Sequence, residues 1–399
     1  MELSYKSIST FLKSEPGNFQ LFDEFSYTPD SNCIDRICDA SYESFFVEYL
    51  LGNKPCIISA DIQNWKSSQE WIINGKPNFD YLIKEFGSAD VPVADCGIKD
   101  YNSQLKSNMK FKDYIKYWKK LNQETNNCPS LYLKDWHFNR NFPKYGAYVT
   151  PIFFKSDWLN EFCQKENDDY EFVYMGPKGT WTPLHADVFG SYSWSVNICG
   201  RKRWLLFPPG TEKLLQNEFK QLIYNVELTD IIEKKVQHLD VIQETGEIIF
   251  VPSGWHHQVW NLEDTISINH NWFNGCNINY IWKCLYKAAL DVKKEIDDCK
   301  EDDHFEEQMQ LMLKVHHGMN YEEFLKILNF IFKSRESSIQ NHHCNASSYW
   351  QQVFDIVCVR NVCRDMMKNE LPSCVLECIK NLQNITKEFL CKETNVISR

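Results

Sequence analysis

His185 and Asp187 stand two residues apart in GPKGTWTPLHADVFGSYSWSVNICGRKRWLLFPP, residues 176–209. In an extended segment residues i and i+2 share a face, so one imidazole and one carboxylate there can grip the same ion. A third ligand must come from elsewhere, and GEIIFVPSGWHHQVW, residues 246–260, offers His256 and His257. Two imidazoles and one carboxylate occupy one face of a metal and leave other positions open, the arrangement of non-haem Fe(II) oxygenases; zinc and manganese accept the same ligand types. Neighbours on a strand face opposite ways, so one of the two histidines can serve, and alternation does not choose between them. Taken alone, an H-x-D triplet is more often a surface turn than a ligand pair. Lys202 adds weight. It follows the Cys199-Gly200 break at the start of a strand-like run, and a Lys on the inner side of a sheet implies a bound anion. A charged hydrogen bond from it to a carboxylate contributes roughly 1.5–3 kcal/mol. The alternative for Lys202 is a solvated side chain beside Arg201 and Arg203.

The elements that must position these groups are mostly short strands. From Leu131 to Trp272 the runs YEFVYMG, TPLHADV, SYSWSVNIC, RWLLFPP, EIIFVPS, QVWNL and TISINHNWF, separated by Gly and Pro, predict an antiparallel sandwich or barrel. In SYSWSVNI the residues Ser191, Ser193, Ser195 and Asn197 alternate with Tyr192, Trp194, Val196 and Ile198. The usual reading turns the polar side to water; a barrel with a ligand inside reverses it. Before this region, helix and strand alternate: SYESFFVEYLLGN then PCIIS, and FDYLIKEFG then VPVADCG. Met109 to Leu121 places Phe111, Tyr114, Ile115, Trp118 and Leu121 on one helical face. Residues 1–40 form a poorly patterned lead-in, with a short helix near Tyr5–Leu12. After Asn274-Gly275 the pattern becomes helical: Ile278–Ile296, an acidic stretch EIDDCKEDDHFEEQ, then YEEFLKILNFIF, SSYWQQVFDIVCVRNVCRDMM and SCVLECIKNL. The stripe Phe324, Leu325, Leu328, Ile331 and Phe332 reads as core, with a homo-oligomer face as the alternative. His316-His317 and His342-His343-Cys344 have no full ligand set around them, and His256 and His270 read as structural unless drawn to the metal.

The chain of 399 residues can bury a large core, and 43% hydrophobic with 15% aromatic content is that of a folded protein. A net charge of -11 argues against a general nucleic-acid binder and suits a basic protein target. The sixteen cysteines are scattered without a C-x-x-C pair, as small buried hydrophobes in a reducing compartment. Neither a secretory signal nor a membrane-length apolar run is visible, so a soluble intracellular protein is expected.

The motifs NKPCII (53–58), VPVADCG (91–97), LYLKDW (131–136), GTWTPLHAD, GRKRWLLFPP, GEIIFVPSGWHHQV and TISINHNW carry a resemblance to JmjC-domain 2-oxoglutarate oxygenases of the small protein-hydroxylase type, from about 46 to 272. The resemblance implies a mainly β fold: a double-stranded β-helix, the cupin or JmjC jelly-roll barrel, with N-terminal α/β elements and a C-terminal helical extension. On that reading the parts are a lead-in at 1–40, an α/β part of the core at 41–130, the catalytic barrel at 131–276 and a helical region at 277–399. The family's G-W-x-H pattern selects His257 over His256, so Fe(II) would be held by His185, Asp187 and His257. Lys202 matches the lysine that pairs with the distal carboxylate of 2-oxoglutarate. Thr182 and Tyr132 match positions that hydrogen-bond the same carboxylate, Asn269 a polar cosubstrate-lining position, and Ser195 a weaker candidate of that kind. The competing reading of these last four is ordinary sheet hydrogen bonding. O₂ is the second cosubstrate. The activity implied is hydroxylation of a lysine side-chain carbon in a protein, the eukaryotic peptide-chain release factor, promoting translational termination in the cytoplasm without direct contact to nucleic acid or membrane. A JmjC lysine demethylase and a non-catalytic cupin binding module are the alternatives. Trp181, Tyr192 and Asp135 are candidates for the substrate entrance.

Overall fold

The computed structural model describes residues 33–121, 128–341 and 346–397. The helix expected near Tyr5–Leu12 and the His342-His343-Cys344 triplet lie outside the described residues. The strands in chain order are β1 (Asp35–Ile37), β2 (Cys56–Ser59), β3 (Ile72–Ile73), β4 (Lys76–Pro77), β5 (Asp90–Asp100), β6 (Ser103–Lys110), β7 (Leu131–Trp136), β8 (Glu171–Gly176), β9 (Trp181–His185), β10 (Tyr192–Cys199), β11 (Lys202–Phe207), β12 (Leu239–Gln243), β13 (Glu247–Val251), β14 (His256–Asn261) and β15 (Thr265–Trp272). Nine of them form one sheet, ordered β1-β2-β13-β10-β15-β8-β7-β5-β6. Four form a second, β12-β11-β14-β9, and β3 with β4 make a small hairpin. All pairings are antiparallel except β1 with β2. The two larger sheets enclose a common pocket, lined from both sides. The fold is the expected double-stranded β-helix with a helical extension.

Strand β10 shows why the sequence alternates as it does. Tyr192, Trp194, Val196 and Ile198 join the main hydrophobic core on the outer face of the large sheet, where Trp194 stacks on Phe154 with ring centroids 5.3 Å apart. The opposite face turns inward, and Ser193 and Ser195 line the pocket. Both faces of the strand are therefore covered, and the polar one faces a ligand space. A second core of Trp204, Leu206, Val241, Ile249, Trp255 and their neighbours fills the barrel between the sheets.

Several elements depart from the sequence reading. The helix expected from Met109 starts at Phe111, because Met109 and Lys110 finish β6. Its face is buried as expected at Phe111, Tyr114, Ile115 and Trp118. The run at 41–53 is one α-helical turn, Tyr42–Phe45, continued by a π-helical stretch, Phe46–Leu51. Strand β6 was not anticipated, because an edge strand exposed along most of its length carries no hydrophobic alternation. Among the described residues five α-helices follow the barrel: Ile278–Glu295, Phe305–His317, Tyr321–Gln340, Ala346–Met366 and Ser373–Ile397. The second was hidden by the acidic stretch, although Phe305, Met309 and Leu313 are buried. Phe324, Leu328, Ile331 and Phe332 are buried within the chain, so the stripe is core. Among the described residues no helix is long and apolar enough to cross a membrane.

Candidate metal centre and cosubstrate pocket

Strands β9 and β14 are neighbours, and their register sets His185 directly opposite His257. The two rings lie 4.2 Å apart, centroid to centroid. Each Nδ1 faces a carbonyl oxygen two residues back, His185 on Pro183 at 2.8 Å and His257 on Trp255 at 3.1 Å. A carbonyl only accepts, so both Nδ1 atoms carry the proton and both Nε2 atoms present a lone pair. Burial pushes the His185 imidazolium down to about 4, helped by His257 beside it, and burial likewise lowers His257. Neutral imidazoles are what a metal requires.

Asp187 reaches the pair differently from expectation. Strand β9 ends at His185, and Asp187 lies beyond it at the start of a turn, Val188–Gly190. Shared-face alternation is therefore not what aligns it. Its carboxylate is held from the facing sheet: Ser193 Oγ donates to Oδ2 at 2.7 Å and Asn271 Nδ2 to Oδ1 at 2.8 Å. Ser193 and Asn271 are themselves register partners on β10 and β15. The ligand atoms of His185, Asp187 and His257 all lie within 4.8 Å of one another, and His256 is not part of this group. The donor set fits a divalent metal held on one face, with the carboxylate and both imidazoles oriented by hydrogen bonds from behind.

The same pocket is lined by Tyr132, Thr182, Ser195, Lys202 and Asn269, all expected from sequence, by Ser193, which the alternation of SYSWSVNI offered as part of a polar inner face, and by Tyr174, Trp204 and Asn271, which were not expected. Lys202 is 2% exposed. Its Nζ donates to Ser267 Oγ at 2.6 Å, and Asn269 Nδ2 donates to the same oxygen at 3.2 Å. Among the described residues no carboxylate pairs with Lys202, and burial alone pushes its ammonium down to about 7. A buried ammonium that meets a hydroxyl and the face of the Tyr174 ring but, among the described residues, no anion is a site for one. Ser195 Oγ is also buried without a partner among the described residues. Both observations fit a dicarboxylate lying between Lys202 and the triad. Ser267 escaped sequence reasoning, although its place two residues before Asn269 on β15 puts it on the same face. Of the entrance candidates, Tyr192 is excluded: it is buried in the core and donates to the Leu50 carbonyl at 2.8 Å. Trp181 is half-buried, edge-on to Tyr224. His270 is structural: its ring stacks on Trp194 and its Nε2 meets Tyr148 Oη at 2.6 Å.

Residues 42–277 match the family model for the cupin-like domain. A Gallus gallus protein named 2-oxoglutarate and iron-dependent oxygenase JMJD4 is 48% identical over 322 residues, covering 77% of this chain and 76% of its own length. The Homo sapiens protein of that name is 44% identical over 309 residues, covering 74% of each. The chain belongs to the JmjC 2-oxoglutarate- and iron-dependent oxygenases. Membership of this oxygenase family settles the metal that ligand type left open, and the cofactors are iron and 2-oxoglutarate. The family also holds an Arabidopsis thaliana relative named arginine-specific demethylase JMJ20, 42% identical over 324 residues, 75% of this chain and 68% of that one.

Proposed function

We propose that this oxygenase hydroxylates a side-chain carbon of lysine in a protein, with the eukaryotic peptide-chain release factor as the substrate, and thereby promotes translational termination in the cytoplasm. The observation that carries the chemistry is a buried Lys202, without a carboxylate partner among the described residues, in one pocket with the His185–Asp187–His257 group. The lysine target and the release factor rest on the motif resemblance from about 46 to 272.

In this reading His185 Nε2, His257 Nε2 and an Asp187 oxygen hold the iron. With 2-oxoglutarate and O₂ the iron supplies oxidative decarboxylation, giving succinate and CO₂, and insertion of one oxygen atom into an unactivated C–H bond. The chain's own groups do the rest. Lys202 carries its proton on Nζ once it receives the distal carboxylate, with Ser267 accepting from Nζ and Asn269 holding the Ser267 hydroxyl. Thr182, Tyr132 and Ser195, which line the pocket, share that carboxylate. Trp204 and Val259 form an apolar side that keeps water from the ligands. Ser193 and Asn271 fix the Asp187 oxygens.

Mass spectrometry of the release factor after incubation with enzyme, iron and 2-oxoglutarate tests the reading. A gain of one oxygen on a lysine is expected. Loss of a methyl group, from lysine or from arginine as in the name of the Arabidopsis relative, replaces hydroxylation by demethylation. No succinate with any protein substrate leaves a binding module.

A further inference from the structure

Strand β7 carries an irregularity beside the pocket that the chemistry above does not use. Leu133 pairs with Met175 and Trp136 with Val173, so β7 holds one residue more than β8 across that interval. The excess is absorbed with Asp135 at φ 60°, a left-handed backbone that aspartate tolerates better than most residues other than glycine. A bulge of this kind re-aims a side chain. Here the Asp135 carboxylate meets the phenol of Tyr174, whose Oη donates to Oδ1 at 2.5 Å. Tyr174 lines the pocket with His185, Asp187 and Lys202. A carboxylate outside the metal set thus stands one phenol ring away from the cosubstrate space.

The other oxygen of Asp135, Oδ2, is occupied by the ammonium of Lys106. Lys106 belongs to β6, the last strand of the large sheet, and its side chain is 48% exposed. It can leave for solvent. Burial pushes the Asp135 carboxyl up, but Lys106, Lys134 and the phenol outweigh it and hold it below the usual range. Nearby, Lys134 is 6% exposed, with its Nζ on Gln104 Oε1 at 2.8 Å. With Lys134 and Lys202 both buried around Tyr132 and Tyr174, a further ammonium enters only where a carboxylate receives it. Exchange of Lys106 for an incoming ammonium leaves the local charge unchanged.

We propose that Asp135, held by Tyr174, is the specificity-determining residue that receives the ε-ammonium of the target lysine, and that Lys106 keeps its place until the substrate binds. This rests on the lysine reading above and extends it to an unmodified primary ammonium, whose N–H groups can reach Oδ2.

Steady-state kinetics of the iron-loaded full chain with the release factor, for Asp135→Asn and Lys106→Met, tests the exchange. Asp135→Asn is expected to raise KM for the protein roughly tenfold or more, because the ammonium is left without its carboxylate. Lys106→Met is expected to lower that KM, because a competitor is removed. A salt bridge that served only the fold would make both variants worse, and that result overturns the proposal. A release-factor peptide with norleucine in place of the target lysine gives a second readout: it should compete roughly tenfold less well than the lysine peptide against wild type, and equally well against Asp135→Asn. Equal competition against wild type also overturns the proposal. If the wild-type product carries its oxygen on a residue other than lysine, the lysine reading falls and takes the subsite with it. If lysine is hydroxylated and Asp135→Asn retains the wild-type KM, only the subsite falls.

Discussion

Lys202 is the group whose chemistry the pocket constrains most. Its ammonium is buried, hydrogen-bonded to Ser267 and, among the described residues, without a counter-charge. Burial brings its pKa to about 7, so above that pH the empty pocket holds a neutral amine. A bound carboxylate favours the ammonium and raises the pKa, so binding takes up a proton. The affinity for 2-oxoglutarate should therefore fall as pH rises above 7, by up to tenfold per unit. Calorimetric titrations between about pH 6 and pH 9 measure it; a flat profile places the carboxylate elsewhere. Lys202→Ala should raise the 2-oxoglutarate requirement roughly ten- to a hundredfold, from the 1.5–3 kcal/mol of a charged hydrogen bond. At this scale the chemistry-bearing types were legible in the sequence, since His185, Asp187, His257 and Lys202 converge on one pocket. The groups that hold them were not. Ser193, Ser267 and Asn271 are ordinary residues of the large sheet, and only its packing face to face with the smaller sheet brings them to Asp187 and Lys202.

At the scale of elements, the ligand strands are braced by the first turns of the helix Ile278–Glu295. Gly190, three residues after Asp187, and Gly254, three before His257, both have positive φ and both lie against Tyr280. A Cβ at Gly190 would meet the Tyr280 ring at 2.8 Å, and one at Gly254 would meet its Oη at 2.2 Å. One side chain of the helical extension thus wedges the turns on either side of the metal group. Gly254→Ala combines backbone strain with this clash and should cost on the order of 1–3 kcal/mol, with a loss of bound iron as His257 shifts. Thermal melts together with iron analysis check it; a lower melting temperature with full iron would mean that the turn does not position His257. The barrel strands were readable as short runs separated by Gly and Pro, and β10 from its alternation, whereas β6 and the π-helical stretch were not, because exposure and an altered hydrogen-bond step leave no periodic mark.

Across the whole molecule, a buried ion network ties the helical extension to the catalytic part. Arg335 binds Glu161 with both terminal nitrogens, at 2.6 and 2.8 Å, and donates through Nε to Asp355 at 2.8 Å. Asp355 is fully buried and also receives Trp158 Nε1 at 3.2 Å. Removing Arg335 leaves that carboxylate uncompensated, so Arg335→Ala should destabilise the chain by about 3–5 kcal/mol. Urea denaturation measures it, and a loss under about 1 kcal/mol, the value of a surface pair, would contradict a buried tie. The helical region was legible as helices from their periodicity, but the contacts that join it to the barrel depend on tertiary placement and left no sequence signal.

An anaerobic crystal structure with Fe(II) and 2-oxoglutarate tests the central claim most directly. The expected coordination is Nε2 of His185, Nε2 of His257 and one oxygen of Asp187, with the far carboxylate of 2-oxoglutarate on Lys202 Nζ. Iron bound through His256, or a carboxylate seated away from Lys202, would contradict it.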